Sequence, residues 1–491
     1  MTNARLNKRL RPHRKLMQQL QRLNSRHLRV TLGLSLAAGS MALQPSLNAL
    51  QHVRNSGELH LVGVSSPTTF YQRDGNVHGL QFELAQQFAN ELGVKLIVDP
   101  VKDDQQVLNS VRRNHAQLAL TVHAAHDQRL NRLRVSAPLI ELEQQLIQRN
   151  DRFQPTSLDD LRQSTIAVIA GSSEAKRLRS ALADVEGVRL VEFKEGDSLD
   201  LLTLLDQGKV DYVGMIDQEF DAYRPLFPNL RDGLSFAKSD AVAWVFLKSA
   251  DESLYQAAQN FLTRKQSDGT LERLAAFYGT GDAFNRFGAK SFQKDISVRL
   301  PRYQREFEKQ SAQHGLDWRL LAAISYQESH WDQNAISPTG VQGLMMLTQD
   351  TAKLMGVKNR TLPKDSIQGG TAYFKQILSK LPASVKEPDR TWMALAAYNM
   401  GPGHMIAARK LTRKLQGDPN SWLDVSRNLV TLEQHNRATG KPAPDVKQAL
   451  HYVQQVRRYY DAIALNHDAE RDQQRVAQLD YDITLPGRLT Q

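Results

Sequence analysis

The spacing of apolar residues changes once along this chain, near Phe284, and the change calls for two kinds of core. From Ser56 to about Gly281, short β-type runs alternate with helical patterns. "GELHLVGV" and "VKLIVDP" flank "GLQFELAQQFANELGV", where Phe82, Ala85, Phe88, Ala89 and Leu92 recur at helical spacing and Gly93 ends the helix. That alternation predicts an α/β unit. A second set of the same kind begins at "SLDDLRQSTIAVIAGSSEAKRLRSAL", where a strand over Ile166 to Ile169 meets Gly171, Ser172 and Ser173 at a helix N-terminus able to hold an anion. Beyond Phe284 the patterns are long and helical, with breaks at Pro, Gly and Asn, and predict an all-α module. The join falls in "GTGDAFNRFGAKSFQ", Gly279 to Gln293. A chain of 491 residues, 41% hydrophobic and 23% charged, is long enough for two or three such cores.

The net charge of +11 points less to nucleic acid than it first suggests, because nine Lys and Arg lie in the first 30 residues with no acid among them. Removing them leaves about +2 for the rest. That basic block runs into "VTLGLSLAAGSMAL", Val30 to Leu43, whose 14 residues fall short of the roughly 20 that span a bilayer. Residues 1–43 therefore read as a secretory signal, with an uncleaved N-terminal anchor as the alternative. The chain has no cysteine, so neither a disulfide nor a lipidated cysteine is available and membrane attachment would be non-covalent.

"DGNVHGLQFELAQQFANELGV", "DQRLNRLRVSAPL", "IAVIAGSS", "QGKVDYVGMID" and "SDGTLERLAAFYG" resemble, in that order, the bacterial extracellular solute-binding proteins of the amino-acid-binding type. The resemblance implies a two-lobed, periplasmic-binding-protein-like α/β module over residues 44–285. It also implies that Arg129 holds a ligand carboxylate, Asp217 its ammonium, and Ser172 sits on the anion-binding turn. "NHAQLALTVHAAHD" departs from the family pattern before the first-lobe site, which leaves the ligand open. Surface or inter-lobe ion pairs are the alternative roles for Arg129 and Asp217.

In the helical module, Asp317 is a suitable N-cap for a helix whose stripe is Leu321, Ile324, Glu328 and Trp331. A glutamate on an apolar face beside Trp331 is harder to ionise, as a general acid near neutral pH requires. Taken alone, the placement is better explained as a buried glutamate satisfied by a hydrogen bond. Its neighbours alter that balance. "ES.W....SPTGVQGLMMLTQDTAKLMGV", "GGTAYFKQILSKL" and "ALAAYNMGPGH" closely resemble the lysozyme-like domain of family 1 lytic transglycosylases, from about Leu300 to Tyr460.

That resemblance implies an all-α lysozyme-like catalytic domain over residues 286–491 acting on the glycan strands of peptidoglycan. Glu328 is then the catalytic residue, Ser337 contacts the substrate's N-acetyl group, and Met345, Tyr398, Asn399 and Tyr452 are cleft residues. Met346 stands where the family usually has Gln. Hydrolysis would need a second carboxylate, about 5 Å away for retention or roughly 6.5 to 9.5 Å for inversion, and only Asp332 is near in sequence. The resemblance implies instead a 1,6-anhydro product formed with one carboxylate and no metal or cofactor. It further implies a periplasmic enzyme held peripherally at the outer membrane, with a muropeptide or amino-acid effector and no nucleic-acid partner.

Other signals are weaker. His123 and His126 of "HAAH" have no convincing third ligand and read as turn or surface histidines. Met345, Met346 and Leu347 read equally as core or as substrate-facing. Arg457 and Arg458 read as a solvated helix face, and "RDQQRVAQLDYDITLPGRLTQ" as a polar, unfixed tail. A lysozyme-type muramidase and a non-catalytic solute receptor remain as alternative functions.

Overall fold

The computed structural model describes residues 47–476 and 481–484, apart from 67–68, 74–75, 125–129, 195, 279–285 and 339. The proposed signal over residues 1–43, Arg129, His126 and the first part of the expected join, 279–285, lie outside the described residues. Residues 1–56 form a unit of their own, of which helix α1 (Ala49–Ser56) is described; residues 57–491 form the second unit.

The second unit opens with β1 (Glu58–Val64), the hairpin β2 (Tyr71–Arg73) and β3 (Asn76–His78), helix α2 (Leu80–Leu92), β4 (Lys95–Val101), α3 (Asp104–Arg112), β5 (Leu118–Ala124) and β6 (Leu133–Val135). Gly93 ends α2 in the left-handed conformation, donating to Ala89 and Asn90, as its place in the sequence predicts. The parallel strands β4, β1 and β5 make the first lobe, with Val62, Val107, Leu108 and Val111 buried between sheet and helix.

The chain leaves that lobe along β7 (Ile140–Arg149) and builds a second one from β8 (Thr165–Ile169), α4 (Ser173–Ala181), β9 (Arg189–Phe193), α5 (Ser198–Asp206), β10 (Tyr212–Ile216) and α6 (Asp217–Tyr223). It returns along the long strand β11 (Leu230–Leu247), which pairs antiparallel with both β7 and β5. Register shifts in β11 between Asp232 and Asp240 fall where it passes between the lobes. The helices α7 (Ser253–Ser267) and α8 (Thr270–Tyr278) close the module.

The rest is helical: α9 (Arg286–Val298), α10 (Gln304–His314), α11 (Trp318–Ser329), α12 (Gln349–Leu354), α13 (Pro363–Lys380), α14 (Asp389–Met400), α15 (Pro402–Lys414), α16 (Trp422–Ala438) and α17 (Val446–Val476). Their apolar faces share one core that includes Phe292, Leu321, Phe374, Leu395 and Val453. The tail departs from expectation. Tyr481–Thr484 forms β12, antiparallel to β9 on the edge of the second lobe, so the C-terminal end of the helical module supplies a strand to the sheet. Helix α17 reaches the same lobe, with Leu465 packed on its core.

Candidate active site

Helix α11 starts where the sequence predicts. Asp317 accepts the Arg319 backbone N–H at 2.9 Å, and its other oxygen accepts the Tyr460 hydroxyl at 2.6 Å. Residues Leu320 to Tyr326 are buried. At the other end the helix stops at Ser329, two residues short of what the Leu321–Trp331 stripe requires. His330 and Trp331 both take positive φ, 52° and 53°, which ends the 3.6-residue period. Trp331 is still buried, because its indole turns back and donates to the Ala322 carbonyl at 2.9 Å. The expected neighbour of Glu328 on a continuous helical stripe is thus corrected to a residue of the following turn.

Glu328 sits half-buried in the last turn of α11. The Tyr452 hydroxyl, from α17, donates to its Oε1 at 2.7 Å. Burial pushes the carboxyl up to about 7, while the Tyr452 hydrogen bond pulls it down. Among the described residues no second carboxylate contributes to that shift. Tyr452 itself is buried and raised well above the ordinary phenol value, by burial first and then by Glu328, so it remains a donor. Its ring stacks on Tyr398 at 6.4 Å and 14°, and Tyr373 lies 5.4 Å beyond Tyr398.

The segment after α11 folds back on the helix. Ser325 and Ser329, one turn apart, both donate to the Leu344 carbonyl, at 3.0 and 2.9 Å. Ser337 closes a turn with Val341: its N–H donates to the Val341 carbonyl at 2.9 Å, and its Oγ accepts the Val341 N–H at 3.0 Å. Arg360 ties the two sides of this loop through the Leu347 carbonyl at 2.6 Å and the Gly340 carbonyl at 3.3 Å. Gly343 has φ 92°, and a Cβ there would stand 2.0 Å from the Arg360 carbonyl oxygen, so the close approach requires glycine.

Met345 is corrected as a cleft side chain: it is fully buried, with its thioether against Gly370. Its backbone is what reaches the site, because the Met345 carbonyl accepts the Tyr398 hydroxyl at 3.0 Å. Glu328, Tyr452, Tyr398 and the Met345 backbone therefore form one connected group. Asn399 follows Tyr398 in the last turn of α14, half-buried. Asp332 accepts the Asn334 N–H at 3.0 Å, within its own turn.

A second feature lies between the lobes. A cavity of about 590 Å3 is walled by Ser66 and Thr69 of the first lobe, Ser172 and Glu219 of the second, and Arg319 and Arg458 of the helical module. Ser172 caps α4, its Oγ accepting the Ala175 N–H at 3.1 Å, and its turn lines the cavity. Asp217 is not in that wall; its Oδ1 accepts the Glu143 N–H at 3.3 Å. The acid that α6 does present is Glu219, two residues on. It accepts the Ser198 hydroxyl at 2.7 Å, and burial pushes it up to about 7. Sequence reasoning also misplaced Arg457 and Arg458. They are buried, 4% and 7% exposed, because α17 is packed against the binding module rather than facing water.

The "Transglycosylase SLT domain" model matches residues 305–420, and the "Bacterial extracellular solute-binding proteins, family 3" model matches residues 61–281. Among curated proteins, the membrane-bound lytic murein transglycosylase F of Stutzerimonas stutzeri is 37% identical over 93% of this chain and 94% of its own. That of Alcanivorax borkumensis is 38% identical over 91% and 97%. A solved amino acid ABC transporter substrate-binding protein from Streptococcus pneumoniae, bound to L-arginine, is 25% identical, covers 46% of this chain and 96% of its own, and has a TM-score of 0.42. With relatives of this similarity over nearly its whole length, the chain belongs to the membrane-bound lytic murein transglycosylase F family.

Proposed function

We propose that this chain is a peptidoglycan lytic transglycosylase in which Glu328 is the single acid and base. The observation that carries the reading is Glu328 itself: a half-buried carboxyl held near 7, hydrogen-bonded to Tyr452, with no second carboxylate acting on it among the described residues. Near neutral pH such a group is protonated often enough to give a proton and ionised often enough to take one back. Glu328 protonates the oxygen of the bond between N-acetylmuramic acid and N-acetylglucosamine as that bond breaks. The 2-acetamido oxygen of the muramoyl residue supports C1. Glu328 then removes the proton of the 6-hydroxyl, which attacks C1 and leaves a 1,6-anhydro end. Ser337, Tyr398 and Asn399 bind the sugar, and Met345 acts through the carbonyl that holds Tyr398. Glu328→Gln keeps the shape and removes the proton, so release of soluble fragments from purified sacculi should fall by at least about 10². Release near the wild-type rate would remove Glu328 from this role.

The same reading takes residues 44–285 as a regulatory module that binds an amino acid or cell-wall peptide, and residues 286–491 as the catalytic domain. Its support is the shared cavity, walled by both lobes and by α11 and α17, the two helices that carry Glu328 and Tyr452. A ligand biases turnover only as far as it binds two states of the enzyme differently. Residues 1–43 would direct export to the periplasm. Among the described residues no helix is long and apolar enough to cross a membrane, and the reading takes attachment at the outer membrane as peripheral. Calorimetric titration of the full chain with muropeptides and amino acids, paired with turnover on sacculi, tests the module. A ligand that binds without changing turnover would reduce it to a docking domain.

A further inference from the structure

His330 and Trp331 follow the last turn of α11 with positive φ, 52° and 53°, a conformation costly to residues with a Cβ and kept only where the surroundings enforce it. Part of the enforcement is local. The His330 N–H donates to the Tyr326 carbonyl at 2.8 Å, and the Asp332 N–H to the Ser329 carbonyl at 2.9 Å. The rest comes from α9. Arg299, the residue after that helix, donates through Nη1 to the His330 carbonyl at 2.8 Å. Its Nε lies 3.2 Å from Asp295 Oδ1, and its backbone N–H donates to the Asp295 carbonyl at 2.9 Å. Asp295 is 7% exposed, and its Oδ2 accepts the Tyr326 hydroxyl at 3.2 Å. One buried carboxylate therefore holds the guanidinium with one oxygen and α11 with the other. Phe292, one turn earlier on α9, packs on Tyr326 and Trp331 with ring centroids 4.9 and 6.2 Å away.

We infer that Asp295 and Arg299 are positioning residues for the reaction: they clamp the end of α11 on both sides of Glu328, at Tyr326 and at His330, and so fix its carboxyl against Tyr452. The inference rests on the reading of Glu328 as acid and base, and adds that the segment joining the two modules holds that residue in place. Residues 286–299 lie between the stretches matched by the two family models, 61–281 and 305–420, so neither motif set contains the clamp. The chemistry suits the task. A guanidinium is a planar fork that serves a carboxylate and a carbonyl at once, and Asp295 can be buried because both of its oxygens are engaged. A carboxyl that must meet first the glycosidic oxygen and then the 6-hydroxyl tolerates little displacement.

The test measures kcat and KM of the full chain on soluble glycan strands, with the melting temperature beside them. Arg299→Gln should lower kcat roughly tenfold to hundredfold, the scale of a small misplacement of a reacting group, and leave KM within about twofold. Arg299→Lys still donates to the His330 carbonyl and pairs with Asp295, so it should recover most of the loss. In a Tyr452→Phe background the loss from Arg299→Gln should shrink, because both changes loosen the same carboxyl. If Arg299→Gln does not fold, Asp295→Asn, close in shape and still an acceptor for Tyr326, should show the same fall in kcat at unchanged KM. Wild-type kcat in whichever of these two variants is folded, a loss confined to KM, no recovery in Arg299→Lys, or a loss that adds in full to that of Tyr452→Phe overturns the inference and leaves the reading of Glu328 intact. Wild-type turnover in Glu328→Gln overturns that reading and the inference with it.

Discussion

Tyr452 donates its hydroxyl hydrogen to Glu328 Oε1 at 2.7 Å, joining residues 124 apart in sequence. The bond fixes the carboxyl at the end of α11 against α17 and stabilises its ionised form, in opposition to the larger effect of burial. Their balance, near 7, is what suits one group to both halves of the reaction.

Removing the hydroxyl with Tyr452→Phe takes away the influence that lowers the Glu328 pKa and leaves the one that raises it. Glu328 must start protonated, so activity should fall as pH rises through about 7 in the wild type. In Tyr452→Phe that alkaline limb should move to higher pH, with a lower maximum rate from a less fixed carboxyl. A pH profile of fragment release from sacculi reads both effects. A limb that stays in place or moves to lower pH would separate Tyr452 from the acid.

Folding stability should decline from mildly acidic to mildly alkaline pH. Burial is the largest cause of raised values for Glu83, at about 8, and for Glu219, Glu328 and Asp389, each at about 7. Their ordinary values are 4.5 for Glu and 3.8 for Asp. Between those values and about 8 the folded chain holds protons that the unfolded chain has released, so the unfolded state is favoured as pH rises. The favourable contribution is fully present below the ordinary carboxylate range and is lost by about pH 8. Urea midpoints measured across this range should fall, and Glu83→Gln should flatten the slope. A midpoint that rises throughout would contradict the buried neutral carboxyls.

Gly370→Ala should damage packing and site together. A Cβ at Gly370 would lie 2.3 Å from Met345 Sδ and 2.8 Å from its Cε, closer than atoms can approach. Overpacking of this kind costs about 1–3 kcal/mol. Displacement of Met345 also moves the carbonyl that anchors Tyr398, so turnover should fall in protein that remains folded. Thermal melting and turnover of the variant check this, and a neutral result in both would show that the loop yields without consequence.

What was legible in the sequence was local. The cap at Asp317, the stop at Gly93 and the switch from α/β to helical patterns each depend on residues a few positions apart. Trp331 misled because its burial comes from a reversal after His330, which periodicity does not encode. The sequence leaves Met345 equally suited to substrate or core, and only the approach of Gly370 from α13 decides for the core. Glu219 and Arg458 were missed for a related reason. Each acquires its setting from elements far away in the chain, and a charged residue on a helix carries no local sign of which module will cover it. The signal that could have marked them is weak: charged residues on helices whose apolar faces are wider than one partner can cover.

Mass spectrometry of the fragments released from purified sacculi by the full chain tests the one-carboxylate account most directly. Attack by the 6-hydroxyl predicts muropeptides ending in 1,6-anhydro sugar, lighter by one water than the hydrolytic products, resistant to borohydride reduction, and missing from a Glu328→Gln digest. Reducible muramoyl ends as the main product would mean that water attacks C1, that a second group activates it, and that Glu328 does not serve as acid and base alone.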